Sequence, residues 1–284
     1  MTYDIIVLGA GPAGLAAAVA ARGRNKSVLV IGNRWQDSPL AKAEQVDNYL
    51  GLPGLTGSGM LATFHEHAVQ MGVEFVVGKA ISLMAWEGFM VTVGSQVYQG
   101  KALILAPGVT RQAKYPGEEE YLGRGVSYCA TCDGMLYRGK PLVVVGRSSD
   151  APHEANYLHS LGCQVTYVSP QPPRGLDDGI PFIKAGKLAV KGNQTVTALE
   201  ADGAELPCSG VFILRSSVAP TDLLPTLETE EGYIKVDRRM ATSVEGVFAA
   251  GDCTGLPLQV SKAVGEGHVA ALSACEYLDR KPEQ

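Results

Sequence analysis

Tyr3-Asp4-Ile5-Ile6-Val7-Leu8-Gly9-Ala10-Gly11-Pro12-Ala13-Gly14 opens the chain and decides its fold. The β-prone apolar run to Leu8 reads as a buried strand. The glycine cluster turns the chain, and Leu15 to Arg22, rich in alanine, continues as a helix. Ser27 to Ile31 then returns as a second buried strand parallel to the first. A G-x-G-x-x-G that follows a strand and opens a helix, inside a βαβ unit of about thirty residues, is a dinucleotide-binding turn. Gly9 permits the tight turn, Gly11 lets the backbone approach a pyrophosphate, and Gly14 lets the helix pack on the strand. Pro12 and Ala13 begin the helix whose free N–H groups and positive dipole end meet the phosphates. The second strand ends Ile31-Gly32-Asn33, without the acid that commonly holds a ribose, so Asn33 offers an amide there instead.

A second unit of this kind begins at Pro141. Leu142 to Gly146 is the strand, Asp150 to Leu161 the helix and Gln164 to Val168 the returning strand. The stretch Gly246-Val247-Phe248-Ala249-Ala250-Gly251-Asp252, with a helical pattern from Leu258 to Leu278, is too short to stand alone and completes the first domain. The expected architecture is α/β: two nucleotide-binding-like, three-layer domains, the second inserted in the first. The first domain takes residues 1–110 and 241–284, the insertion 111–240.

Composition narrows the function. The chain has 284 residues, 46% hydrophobic and 19% charged, enough for a sizeable core and unlike a disordered protein. A net charge of −5 lacks the basic footprint of a nucleic-acid binder. The longest apolar run, Ala13 to Ala21, cannot span a bilayer, and Met1-Thr2-Tyr3-Asp4 carries no basic residue of an export signal, so no membrane association and a cytoplasmic location are expected. Six cysteines in a chain of this length are too sparse for a disulfide scaffold.

Two of those cysteines lie together in Tyr128-Cys129-Ala130-Thr131-Cys132-Asp133-Gly134. A C-x-x-C closes a small disulfide ring and its spacing lowers one thiol pKa. Zinc needs about four ligands, and neither a second C-x-x-C nor a paired histidine motif exists, so no metal is expected. Asp133, beside a dithiol, is placed to give and take a proton.

With these motifs in hand, the sequence resembles the low-molecular-weight thioredoxin reductases over nearly its whole length. The matching segments are Gly9 to Gly14, Val46-Asp47-Asn48-Tyr49, Leu105-Ala106-Pro107-Gly108, Cys129 to Gly134 and Gly246 to Asp252, in the family's order. The resemblance implies a two-domain flavoprotein disulfide reductase fold with FAD in the first domain. It implies that Asp252, after Gly251, holds the ribityl chain and that Gln259 and Val260 lie against the isoalloxazine. Asn48, Ala80, Ala106 and Gly108 complete the flavin site. Cys132 would take electrons from the flavin, Cys129 would attack the disulfide of thioredoxin, and a homodimer is the family's habit.

The second glycine turn departs from NADPH-using relatives. It reads Gly146-Arg147-Ser148-Ser149-Asp150-Ala151, with Ser148 where a pyrophosphate must approach and Asp150 bringing negative charge to the helix N-terminus. Ser169-Pro170-Gln171-Pro172-Pro173 supplies no arginine pair for a 2′-phosphate, although Arg147 or Arg174 could substitute. Leu258 to Gly267 and Ser38 to Ala43 look like the ferredoxin-dependent, NADPH-independent flavin thioredoxin reductases. Ferredoxins are acidic, and Arg22, Arg24, Lys26, Arg34 and Lys42 against Asp37 give residues 22 to 42 a local charge of +4. Such a run is equally a solvated edge, and Trp35 within it is equally a packing residue. Three readings stay open: a ferredoxin-dependent thioredoxin reductase, an NADPH-dependent one with a divergent site, and a flavin-containing redox sensor with an unusual ligand, such as a second FAD, in the insertion.

Overall fold

The opening apolar run forms β1 (Thr2–Leu8), followed by α1 (Pro12–Arg22) and β2 (Val28–Gly32). The structure, a computed structural model, describes residues 2–109, 114–215 and 218–280. They divide into two compact units: Met1–Arg111 with Ser217–Gln284, and Gln112–Ser216.

In the first unit α2 (Gly57–Gln70), β3 (Glu74–Val77), β4 (Ala80–Ala85), β5 (Phe89–Val93) and β6 (Gln96–Leu105) follow. The strand order is β3-β2-β1-β6-β5-β4. β1 runs parallel to β2, from Ile5↔Val28 to Leu8↔Ile31, and parallel to β6 on its other side. β4, β5 and β6 form an antiparallel meander. β1 is covered on both faces. Ile5 and Val7 join a core with Ala17 and Ala274, while Ile6 and Leu8 join one with Leu103 and Leu105. Burial on both sides explains why this strand reads as a continuous apolar run rather than an alternation.

The second unit contains β7 (Val126–Ser127), α3 (Ala130–Asp133), β8 (Pro141–Arg147), α4 (Ala151–Ser160), β9 (Gln164–Ser169) and β10 (Phe182–Lys184). β11 (Leu188–Gly192), β12 (Val196–Ala201), β13 (Ala204–Pro207) and β14 (Gly210–Arg215) complete it. A parallel sheet of order β10-β9-β8-β14-β7 lies between α4 and the antiparallel β11-β12-β13 sheet. Leu142 and Val144 face Ala151, Ala155 and Leu158 of α4, and Val143 and Val145 face Leu188, Val190 and Leu199. This is the three-layer arrangement, with a β layer in place of a second helical one.

The chain then returns to the first unit through α5 (Pro220–Leu223), β15 (Thr229–Glu230), β16 (Tyr233–Ile234), β17 (Val247–Ala249) and α6 (Val260–Arg280). β17 pairs in parallel with the end of β6, Val247↔Leu103 to Ala249↔Leu105. The return comes earlier than the sequence suggests, after Ser216 rather than at 240. The reason is packing: Leu223, Leu224, Leu227 and Ile234 are buried against Ile6, Leu103 and Phe89. Sequence periodicity cannot assign so short and irregular a stretch to one core or the other. Among the described residues no helix is long and apolar enough to cross a membrane.

Candidate functional site

Sterics define the first glycine turn. Gly9 has φ +124°, and a Cβ there would sit 2.0 Å from the Ala106 carbonyl oxygen; a Cβ on Gly14 would sit 1.9 Å from the Gly9 carbonyl oxygen. Both positions therefore need glycine for the chain's own packing. Gly11 is different, because a Cβ there would meet nothing within 4 Å. It caps α1 with no side-chain hydrogen bond, and Pro12 follows it. The helix N-terminus thus faces open space, which is what a pyrophosphate requires.

The other predicted cofactor residues lie in the first unit, some of them against this turn. Asn33 lines a cavity of about 330 Å³ with Ala10, Trp35, His65, Phe75 and Val76. Trp35 and Phe75 flank His65 at ring-centroid distances of 6.4 and 4.5 Å, so Trp35 belongs to this wall. Ala80 opens β4 just after Gly78, whose N–H donates to the Gly32 carbonyl at 3.0 Å. Ala106 touches Gly9, and Gly108 follows it with φ +73°. Asn48 Nδ2 donates to Gln259 Oε1 at 2.9 Å, joining two predicted residues 211 positions apart, and Val260 begins α6 beside them. Gly251 approaches α1, since its Cβ would lie 2.8 Å from that of Ala13. Burial pushes the Asp252 carboxyl up, with Lys262 pulling the other way. This set fits a dinucleotide: glycines that admit a backbone approach, an open helix N-terminus, and a half-buried carboxylate for a hydroxyl-bearing chain.

In the second unit Cys129 and Cys132 form a disulfide with Cα atoms 5.4 Å apart. Cys129 caps α3, its Sγ accepting the Cys132 N–H at 3.1 Å, and its own N–H donates to Ser127 Oγ at 3.1 Å. This inward capping leaves Cys129 8% exposed while Cys132 is exposed. In the disulfide state the cysteine that the resemblance assigns to the flavin is therefore the more exposed of the two. Asp133 closes α3 and is half-buried; it adds to the burial that raises the Tyr137 hydroxyl. The other cysteines are buried, and burial pushes Cys208 to about 11 and Cys253 to about 12, which makes both inert. Among the described residues no three of His, Cys, Asp and Glu converge to hold a metal ion.

The second glycine turn makes the same demand for glycine at its first position, but carries a side chain, Ser148, where the first turn has Gly11. A Cβ on Gly146 would lie 1.8 Å from the Tyr167 hydroxyl. Asp150 is exposed at the N-cap of α4 without capping it. Arg147, considered as a phosphate ligand, instead donates to the Tyr115 hydroxyl and lies 5.5 Å from its ring. Arg215, in register with Arg147, lies 5.4 Å from the same ring. Arg215 clamps Glu118, which is fully buried and also accepts from Tyr128 Oη at 2.8 Å and Tyr115 N at 2.9 Å. Burial opposes ionisation of Glu118, but these donors prevail and hold its carboxyl below the ordinary range. Neither Tyr115 nor Glu118 belongs to a nucleotide motif; the only sequence signal was an arginine directly after each of two apolar strands.

The five basic residues are divided along the chain by β2. Arg22, Arg24 and Lys26 precede β2 and Arg34 follows it, at the far end of a five-residue strand about 16 Å long, while Lys42 ends the short helical turn Pro39–Lys42. Arg22 donates Nε to Met71 O at 2.9 Å and Nη1 to Lys26 O at 3.0 Å, and Lys26 pairs with Asp279. Those two cations are occupied by the fold, whereas Arg24, Arg34 and Lys42 are exposed.

Comparison with known proteins places this arrangement. The pyridine nucleotide-disulphide oxidoreductase pattern matches residues 3–267, and the chain belongs to that family. It is an oxidoreductase acting on a disulfide, with FAD as cofactor. It is 35% identical to the thioredoxin reductase of Bacillus subtilis, over 99% of this chain and 96% of that protein. A crystal structure of a ferredoxin-flavin thioredoxin reductase from Clostridium acetobutylicum is 41% identical, with a TM-score of 0.89 over 99% of each chain. The atypical thioredoxin reductase TRi from Desulfovibrio vulgaris Hildenborough is 30% identical, with a TM-score of 0.71 over 99% of each chain.

Proposed function

We infer that this chain reduces the disulfide of a thioredoxin, drawing electrons from a reduced ferredoxin rather than from a pyridine nucleotide. The observation that carries the choice of donor is the carboxyl end of β8 and β14. Ligands of open α/β sheets bind beyond the carboxyl ends of strands where the winding direction switches. At that place Arg147, Tyr115 and Arg215 stack, with Glu118 buried beneath. A dinucleotide would meet Arg147 stacked on Tyr115 and would find Ser148 where a glycine is needed. The likeness to a ferredoxin-flavin thioredoxin reductase supports the same reading.

In this reading the Gly9–Gly14 turn and α1 receive the pyrophosphate of FAD, Asn33 the ribose and Asp252 the ribityl chain. Ala80, Ala106, Gly108, Asn48, Gln259 and Val260 complete the lining. Bound FAD supplies the two electrons that, with two protons, convert the Cys129–Cys132 disulfide into a dithiol. Cys129 as thiolate attacks the thioredoxin disulfide, forming a mixed disulfide and releasing one thioredoxin thiolate. Cys132 then attacks the Cys129 sulfur, releasing the second and restoring the starting disulfide, while Asp133 moves the proton of Cys132. Arg34 and Lys42 are two exposed cations available to an acidic donor.

The test is turnover with reduced ferredoxin, enzyme and oxidised thioredoxin, counting thioredoxin thiols, together with trapping. Cys132→Ser should hold thioredoxin in a stable mixed disulfide through Cys129, and Cys129→Ser should not. Trapping through Cys132 alone would reverse the two roles, and no thioredoxin reduction by the wild type would sink the reading.

A further inference from the structure

Asp252 stands at the start of a three-residue 3-10 turn, Asp252–Thr254, between two glycines with positive φ, Gly251 at +88° and Gly255 at +126°. Such a turn has little rigidity of its own, since glycine is the residue with most backbone freedom. Its carboxylate accepts no hydrogen bond from the described residues, so its own contacts do not aim it. What holds the turn comes from the next helix.

Lys262 Nζ donates to the Gly251 carbonyl at 2.9 Å, the Gly255 carbonyl at 2.8 Å and Thr254 Oγ1 at 3.0 Å. One ammonium therefore ties both ends of the turn and its last residue. Glu266, one helical turn on, pairs with Lys262 at 3.1 Å. Its Oε2 accepts the Gly251 N–H at 2.9 Å and lies 2.8 Å from Thr254 Oγ1. The two side chains are only 16% and 20% exposed. Charges this covered are costly unless every donor and acceptor is satisfied, and here they are satisfied mostly by the turn itself. An i,i+4 pair on a helix surface would instead be water-facing and worth little.

We propose that Lys262 and Glu266 are positioning residues for FAD: the pair fixes the Gly251–Gly255 turn and thereby aims Asp252 at the cofactor. It rests on FAD lying in the first unit and is independent of the electron donor. Lys262 touches the backbone that carries the ligand rather than the ligand, so its loss should weaken FAD binding out of proportion to any loss of stability.

Three variants of the holoenzyme separate positioning from bulk stability. Lys262→Met should raise the FAD dissociation constant at least tenfold and lower Tm, because Glu266 is left buried and unpaired. Lys262→Met with Glu266→Leu removes both charges and should recover most of the Tm, as apolar replacements of buried pairs often do. It still lacks the donors to Gly251 and Gly255, so its FAD affinity should stay low. Glu266→Gln keeps an oxygen for the Gly251 N–H, so its affinity should stay within about threefold of wild type. FAD affinity is read by flavin fluorescence on dilution and Tm by calorimetry of the same samples. A double variant that regains both Tm and FAD affinity would show a purely structural pair and overturn the proposal. So would a folded Lys262→Met protein that holds FAD like the wild type.

Discussion

The two glycine turns of this chain start from nearly the same local fold and end with opposite surroundings. Each follows a buried parallel strand and opens a helix with a proline in its first turn. At the first, a side chain on Gly11 would meet nothing within 4 Å. At the second, the equivalent position carries Ser148, and Arg147 is stacked on Tyr115 beside a buried Arg215–Glu118 pair. The lesson is that a strand-turn-helix frame sets where a dinucleotide could lie, while the side chains beyond the strand ends decide whether one does. The first turn leaves space at Gly11, and the second carries the Ser148 side chain at the equivalent position, with Arg147 stacked on Tyr115 beyond it.

The largest expected effect separates the thiol chemistry from cofactor binding. Cys129→Ser and Cys132→Ser should each lower thioredoxin reduction by about a thousandfold or more, since the two sulfurs act as one unit. Both variants should stay yellow with a full complement of FAD by absorbance. Loss of flavin from either would mean that the two roles are not divided between the units.

Gly11→Val attacks the first turn directly. Losing even one charge-assisted phosphate hydrogen bond costs about 1.5–3 kcal/mol, so FAD affinity should fall by at least about tenfold to a hundredfold. Because the space over Gly11 is open, the apoprotein should melt as wild-type apoprotein does. Gly9→Val, by contrast, would collide with Ala106 and should fail to fold.

Glu118→Ala probes the filled turn. Breaking a buried ion pair leaves an uncompensated charge and costs about 3–5 kcal/mol, read as an earlier denaturant midpoint. The pH dependence has a definite sign. The Glu118 carboxyl is held below its ordinary value of 4.5, so its contribution is complete above that pH and is lost as pH falls through the lower folded value. Glu118→Gln should flatten the stability curve below pH 4.5, and an unchanged acid slope would remove Glu118 from the account.

Much of this was legible in the sequence, and what was not has physical reasons. The Gly9–Gly14 turn could be read because sterics allow only glycine at Gly9 and Gly14, and the C-x-x-C because short rings demand adjacency. Asn48 and Gln259, 211 positions apart, could be named only through a family resemblance, and the structure places them in hydrogen-bond contact. The Lys262–Glu266 pair was hidden because an i,i+4 Lys/Glu spacing reads as surface decoration until its burial is known. The basic run between 22 and 42 could not be read as a surface, because linear charge says nothing of which end of β2 each residue occupies. Tyr115 and Glu118 were invisible because filling a site requires no motif.

The smallest expected effect concerns encounter rather than chemistry. Arg34→Glu with Lys42→Glu should slow flavin reduction by ferredoxin about tenfold at low salt, with little difference remaining where salt screens the approach. The thiol exchange with thioredoxin should be unaffected, as stopped-flow of each half-reaction would resolve. Unchanged ferredoxin kinetics would move the docking surface elsewhere, with Arg24 the next exposed cation to test.

The contrast between an open and a filled turn is tested most directly by anaerobic reduction of the bound flavin, followed by the loss of its visible absorbance. Reduced ferredoxin should bleach the flavin within the turnover time, while micromolar NADPH or NADH should leave it oxidised. Rapid bleaching by either pyridine nucleotide would show that the second unit binds a dinucleotide despite Tyr115, Arg147 and Ser148, and would contradict the account.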